Sequence, residues 1–198
     1  LAIHLLVQHN EFFLKSLCFP GAFDAVNQSS TSASPSSRKL PLASMPALLV
    51  DFIELASYYL PSSEPKGQVY SRLILTTLLS IVENTEMCFL LHDDRLVTKM
   101  SFRGDKRRSE RPDHLPSSAT LPLAPYIIEA CQMFLRYHYT IDMLIGASDL
   151  TWFSELFCMC LDVLHRLLCF QKKMHIRISY PWKGLWSTLM TFLSNFCA

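Results

Sequence analysis

Hydrophobic and polar positions recur with a helical period along most of this chain. Residues 149–171 show the pattern most fully, since their polar or small side chains step by three, four or seven positions and form one narrow stripe (Thr151, Ser154, Glu155, Cys158, Asp162 and Arg166). Nearly every other side chain in this stretch is apolar. A helix that is apolar around most of its circumference must be covered on several sides. The pattern therefore predicts an all-α stack of antiparallel helical hairpins, in which inner helices contact a hairpin partner and neighbouring repeats.

The same periodicity predicts six helices, over residues 1–18, 46–60, 68–91, 123–139, 149–171 and 181–197. Pro61 ends the second of these helices, and Pro181 suits the first turn of the last one. Asp149 is the predicted N-cap of the fifth helix. Lys172 and Lys173 fall at the negative end of that helix dipole, where cations stabilise the helix.

The final stretch, "PWKGLWSTLMTFLSNFC", is amphipathic with a wide apolar stripe. Its apolar side chains recur at helical spacing, with polar ones opposite (Trp182, Leu185, Trp186, Leu189, Met190, Leu193 and Phe196 against Lys183, Ser187, Thr191, Ser194 and Asn195). About four turns are too short to span a bilayer, and one lysine is too few for a helix that lies on a membrane surface. The pattern favours a core helix over a membrane anchor or a partner-binding face.

Two segments interrupt the helical pattern and are predicted to be flexible loops. Residues 24–44 are rich in Ser and Pro, and residues 93–121 are polar, charged and dotted with Pro. The chain starts with Leu, and both of its ends lie in apolar helical patterns, so residues 1–198 are interpreted as a single helical-repeat domain from a longer solenoid. The second loop contains a basic cluster (Arg103, Lys106, Arg107, Arg108 and Arg111). Such clusters attract anionic lipid headgroups, which leaves peripheral lipid binding as an alternative function.

Composition and motifs argue against several classes of function. A formal net charge of +1 gives no overall field for nucleic acid. The seven cysteines are scattered, which favours reduced thiols in a reducing compartment. No apolar run reaches the roughly 18 residues of a transmembrane helix, and the first residues lack the features of a signal peptide.

Catalytic signatures are equally scarce. No nucleophile elbow, phosphate-binding loop or metal-ligand spacing is present, so we expect no enzyme activity, no cofactor and no metal. Only a deep pocket that collected Glu129, His138 and Asp142 would favour an enzyme.

Three short elements resemble those of a known family. They are "LLHDD" at residues 90–94, "LLCFQKK" at residues 167–173 and "YPWKGLW" at residues 180–186. Together with the surrounding second half of the chain, they resemble the armadillo-like helical domain-containing protein 3 family. The resemblance implies an armadillo/HEAT-like solenoid without catalytic activity.

The resemblance also implies a function and a site. Members of the family act as cytoplasmic scaffolds at the Golgi membrane and bind the beta form of phosphatidylinositol 4-kinase and a small Arf-like GTPase in support of Golgi organisation and secretion. The kinase contact of the family maps onto Leu90, Leu91 and His92. We expect the partner to bind Leu90, Leu91, His92, Asp93 and Asp94, where two apolar side chains would anchor it and the adjacent carboxylates would orient it. Leu90 stands where the family pattern Phe-Leu-His has Phe, so an aromatic anchor is missing at that position.

Overall fold

The computed structural model describes residues 47–62, 65–100, 115, 120–145 and 150–196. Six helices lie within these ranges: α1 (Ala47–Tyr59), α2 (Pro65–Glu83), α3 (Thr85–Leu91), α4 (Leu123–Ile145), α5 (Leu150–Met174) and α6 (Trp182–Phe196). The described ranges contain no β-strand, only one isolated bridge between Thr98 and Leu121. The all-α prediction is confirmed. The predicted helix over residues 1–18 and the predicted loop over residues 24–44 lie outside the described residues.

The helices are arranged as two stacked hairpins followed by a further helix. α1 packs against α2, and α4 packs against α5, with only a few residues between the members of each pair. Two ion pairs connect α2 to α5 in the same order along both helices: Arg72 with Glu155 at 2.7 Å, then Glu83 with Arg166 at 3.0 Å. α2 and α5 therefore run in the same direction, as equivalent helices of adjacent hairpins do. α1 and α4 make the corresponding contact on the other layer, and α6 packs against α4.

α4 is the most enclosed helix of the stack. It packs against α1, α5 and α6, and residues 122–135 are all buried. α5 keeps the polar stripe that the sequence predicted, since Glu155, Cys158, Asp162 and Arg166 are exposed. α5 ends with Lys172 and Lys173 in its last turn. His175 follows in the left-handed region with φ 55°, and the Ile176 N–H donates to the Gln171 carbonyl, which is the closing pattern of a Schellman motif.

The predicted single helix over residues 68–91 is wrong, because the chain bends by 99° between α2 and α3. Asn84 takes an extended conformation at the bend, and its side chain accepts a hydrogen bond from the Met87 N–H at 3.1 Å. This is an N-cap, and the apolar residues on both sides of Asn84 hid it in the sequence pattern. Among the described helices, none is alone long and apolar enough to cross a bilayer, although α2 and α3 together pass that test by length and composition.

The core prediction for the last helix holds for only one of its two apolar edges. Leu185 and Phe192 are buried, and Trp182 and Leu189 are half-buried against the core. Three side chains predicted to be in the core are instead exposed (Trp186 52%, Met190 65% and Leu193 47%). α4 covers one side of α6, and a stripe as wide as this one needs a second neighbour to be buried completely.

The ends of the predicted 93–121 loop are held in place. Thr98 and Leu121 exchange backbone hydrogen bonds of 3.0 and 3.1 Å, and the Tyr126 hydroxyl donates to the Thr98 carbonyl at 3.0 Å. Met100 is buried beside this bridge at 1% exposure. The loop therefore leaves and re-enters the helical stack at one fixed point, while its basic cluster lies outside the described residues.

Candidate functional site

The predicted partner site lies at the end of α3, and most of it faces inward. Leu90, Leu91 and His92 are 8%, 0% and 4% exposed. Only the two carboxylates reach the surface, with Asp93 half-buried and Asp94 exposed. Leu90 and Leu91 belong to the core, and a buried side chain contacts a partner only if the fold opens. The partner site at Leu90, Leu91, His92, Asp93 and Asp94 stays a prediction.

His92 joins α3 to α5 through both ring nitrogens. Nδ1 lies 2.7 Å from the Cys88 carbonyl oxygen, and Nε2 lies 3.1 Å from the Gln171 side-chain amide nitrogen. A carbonyl only accepts, so Nδ1 carries the proton, and in the neutral ring Nε2 then accepts from Gln171. Burial lowers the pKa of His92, and this outweighs the opposing effects of the Cys88 hydrogen bond and the Asp94 charge. The ring is therefore a neutral structural joint.

An aromatic pair lies over this joint. The Phe170 ring is 5.1 Å from His92 and 5.1 Å from Phe89, and the Phe89 contact is edge-to-face. Phe170 is half-buried, whereas Phe89 is 46% exposed. Phe89 is thus the surface aromatic at this corner. It lies one position before Leu90, where the family pattern Phe-Leu-His has its Phe. The buried residues of α3, which include its neighbours Cys88 and Leu90, face the core on the side of the helix opposite Phe89. Phe89 therefore points outward.

A second polar joint connects α4 to the segment between α5 and α6. The Tyr180 hydroxyl lies 2.9 Å from Glu129 Oε2 and 2.6 Å from the Gln132 side chain, and all three residues are buried. One hydroxyl has one proton, so Tyr180 donates to one partner and accepts from the other. Gln132 Nε2 has no other partner among the described residues, which favours the amide orientation in which it donates to Tyr180.

This environment fixes Tyr180 as a neutral phenol. Burial raises the pKa of Tyr180 far above its ordinary value, and the nearby Glu129 carboxylate adds to the effect. Trp182 packs edge-on against the Tyr180 ring at 5.3 Å. The "YPW" element of the resemblance therefore attaches the chain to α4 immediately before α6 begins.

The pocket that would have favoured an enzyme is not assembled. Glu129 contacts Tyr180, whereas His138 Nε2 lies 2.8 Å from the Leu60 carbonyl at the end of α1. Nine positions along a helix amount to half a turn beyond two full ones, so these side chains leave α4 on opposite sides. The Asp142 side chain lies outside the described residues. Within the described ranges, no three His, Cys, Asp or Glu side chains are grouped so that they could hold a metal ion.

The alternative lipid-binding residues are not tested by the structure. Arg103, Lys106, Arg107, Arg108 and Arg111 all lie outside the described residues.

Comparisons with known proteins concern the segment that supplies one residue to each joint, Gln171 at the end of α5 and Tyr180 before α6. Residues 149–198 match the family model described as armadillo-like helical domain-containing protein 3, C-terminal. Over these residues, this chain is similar to that family. The matched region holds Gln171 and Tyr180, the residues through which α5 and the start of α6 join the rest of the stack.

Whole-chain comparisons agree with the family match. The human armadillo-like helical domain-containing protein 3 is 29% identical over 148 residues, which cover 74% of this chain and 20% of the human protein. The proteins of the same name from Danio rerio and Xenopus laevis are 28% and 26% identical over the same coverage. The chain thus spans about a fifth of the length of these curated relatives. No solved structure gives a significant match. The armadillo-like helical architecture inferred from the sequence is confirmed.

Proposed function

We propose that this chain is a non-catalytic scaffold module that works at the cytoplasmic face of the Golgi membrane. Its partners are the beta form of phosphatidylinositol 4-kinase and a small Arf-like GTPase, and its role is to support Golgi organisation and secretion. The family relationship and the helical-repeat architecture support a protein-binding role, because such stacks present extended surfaces to partners.

The observation that carries the proposal is the surface corner at the end of α3. Phe89 is half-exposed and held edge-on by Phe170, so it is presented as a fixed aromatic side chain. Exposed aromatics of this kind are the residues on which interface energy concentrates. Asp93 and Asp94 follow four and five positions later, and the Asp94 charge acts on His92 at the same corner. Their negative charge would orient a basic partner surface and speed its association. We assign the kinase contact to Phe89, Asp93 and Asp94.

The test is a pull-down and titration of the purified kinase with this chain. Phe89→Ala removes the exposed aromatic side chain and leaves both hydrogen bonds of His92 in place, and we expect kinase affinity to fall by about tenfold or more. Asp94→Lys should weaken binding most at low salt, because an exposed charge acts mainly through long-range attraction.

Tyr70→Ala is the matched control, since Tyr70 has the same 46% exposure as Phe89 and lies at the far end of α2. It should leave kinase binding unchanged. Equal kinase affinity for the Phe89→Ala variant and the unmodified chain, with both proteins folded, would remove this corner from the kinase interface.

A further inference from the structure

The outer edge of α6 is an uncovered apolar ridge. Trp186, Met190 and Leu193 recur at spacings of four and three residues and are 52%, 65% and 47% exposed. The next row of the helix, Ser187, Thr191 and Ser194, is polar and exposed. The exposed apolar row of α6 therefore lies between a row that faces the core and a row that is polar and exposed.

A valley between α5 and α6 borders this ridge. The rings of Phe157 on α5 and Phe192 on α6 are 4.9 Å apart. Leu161 lies one turn after Phe157, and Leu189 lies about one turn before Phe192, so both continue the line of this contact where the two helices run antiparallel. Leu161 and Leu189 are only partly buried against the core.

The other hairpins of the stack show what covers such a ridge. α1 is covered by α2, and α4 is covered by α5, in each case by one antiparallel helix. α6 packs against α4, but no described helix covers its outer edge in that way. The three ridge side chains offer roughly 300 Å² of apolar surface, taking about 200 Å² for a whole side chain. Two such faces fall short of the roughly 1,200 Å² that a stable dimer buries, and an area of this size suits a single helix that binds weakly or transiently.

The segment between α5 and α6 carries charge of one sign. After Asp162 the chain contains no further Asp or Glu, while Lys and Arg continue to occur. Lys172, Lys173, Arg177 and Lys183 are all exposed, and they lie between the end of α5 and the first turn of α6. A partner that covers the ridge gains most if it places acidic side chains beside these four cations.

We propose that the valley between α5 and α6, with the Trp186, Met190 and Leu193 ridge, binds an acidic amphipathic α-helix of a partner protein. The apolar face of that helix would lie along the ridge at positions i, i+3 or i+4, and i+7, as in other helix-in-groove complexes. Its acidic residues would face Lys183 and the basic segment before it. A bilayer fits less well, because the polar row beside the ridge carries only one basic residue, Lys183, where a helix held on anionic lipid carries several. This surface is separate from the kinase corner at Phe89.

The experiment titrates the full 198-residue chain into a fluorescent synthetic peptide of about 18 residues, with Leu at heptad-like spacing and Glu on its other face. We expect micromolar binding, and a peptide of the same pattern with Lys in place of Glu should bind about tenfold more weakly. Met190→Glu should weaken binding of the acidic peptide by about tenfold or more. Lys183→Glu should narrow the difference between the two peptides.

Ser187→Glu is the matched control, because it adds the same charge to the exposed polar row of the same helix. It should cost much less affinity than Met190→Glu. Absence of binding to the acidic peptide, or equal effects of the two Glu variants, would overturn the proposal. Two competing results would also overturn it. One is flotation on phosphatidylserine-containing vesicles without peptide binding, and the other is self-association of the chain in sedimentation, in each case lost in the Met190→Glu variant.

Discussion

In each of the two buried polar joints, a neutral aromatic ring is hydrogen-bonded to two partners, but the joints connect different helices. The His92 joint connects α3 to α5 through one neutral ring and two hydrogen bonds, directly beneath the exposed Phe89. The Tyr180 joint connects α4 to the segment that begins α6, through a phenol, a carboxylate and an amide. Burial lowers the pKa of His92 and raises the pKa of Tyr180, so it favours the neutral form of both rings.

In both joints, residues from the sequence elements that resemble the family lie in the interior of the fold. His92, Gln171 and Tyr180 all belong to the sequence elements that resemble the family, and all three are buried. A buried polar group needs its specific partner, which restricts substitution as strongly as a binding site does. The surface residue Phe89 lies next to one of these elements.

The largest effect is expected at the Tyr180 joint. Tyr180→Phe removes the hydroxyl between Glu129 and Gln132, so two buried polar groups lose a partner. We expect the free energy of unfolding to fall by about 2–4 kcal/mol in urea titrations at neutral pH. Tyr70→Phe, at an exposed tyrosine, should cost less than about 0.5 kcal/mol. Equal stability of the two variants would mean that the joint does not hold α6.

A smaller loss is expected at the His92 joint, because no ionised group is left behind. His92→Ala removes both hydrogen bonds and the contact with Phe170, and we expect a loss of about 1–3 kcal/mol. His165→Ala, at an exposed histidine of α5, serves as the control and should cost much less. The same urea titration measures both. A greater loss for His165→Ala than for His92→Ala would contradict the assigned roles.

Acidic pH should separate the two joints further. Burial lowers the pKa of His92 and of His138, so below the usual histidine value of about 6.5 the unfolded chain binds protons that the folded chain does not. Stability is therefore complete above pH 7 and declines as the pH falls below about 6.5, by up to about 1.4 kcal/mol per pH unit for each histidine. Unfolding midpoints measured across this range should show the decline, and a His92→Gln, His138→Gln double variant should flatten it. A decline that the double variant retains in full would assign the effect to other groups.

The smallest effect is expected at the ion pair of Arg72 and Glu155, where both side chains are about half-exposed. We expect its coupling energy in a double-mutant cycle with Ala to be below about 1 kcal/mol and to shrink as salt is added. This result would mean that the surface ion pair, despite its 2.7 Å length, stabilises the fold much less than either buried joint does. A larger, salt-independent coupling would reverse that order.

Periodicity was sufficient for the helices and for their arrangement as hairpins, because the apolar stripes are long and the prolines lie at helix ends. It failed at Asn84, where one side-chain hydrogen bond to a backbone N–H outweighs a continuous apolar pattern. It also failed at Trp186, Met190 and Leu193, since a stripe shows which residues favour burial but not how many neighbours are present to bury them.

The candidate site could be located from the sequence but not oriented. The motif pointed to the end of α3, yet a turn at His92 sends Leu91 and His92 inward and leaves Phe89 and Asp94 outside. That choice depends on Gln171, which lies 79 positions away along the chain. No local pattern contains such a contact.

The most direct test of the interior role of the motif residues is the protonation state of the His92 ring, measured from its ¹⁵N chemical shifts by NMR as a function of pH. We predict a neutral ring with the proton on Nδ1 at neutral pH, and a pKa below about 6.5. Replacing Gln171 with Leu should shift the Nε2 resonance, because that nitrogen would lose its donor. A ring that titrates near its ordinary value, carries its proton on Nε2 and ignores Gln171→Leu would contradict this assignment and return His92 to the surface.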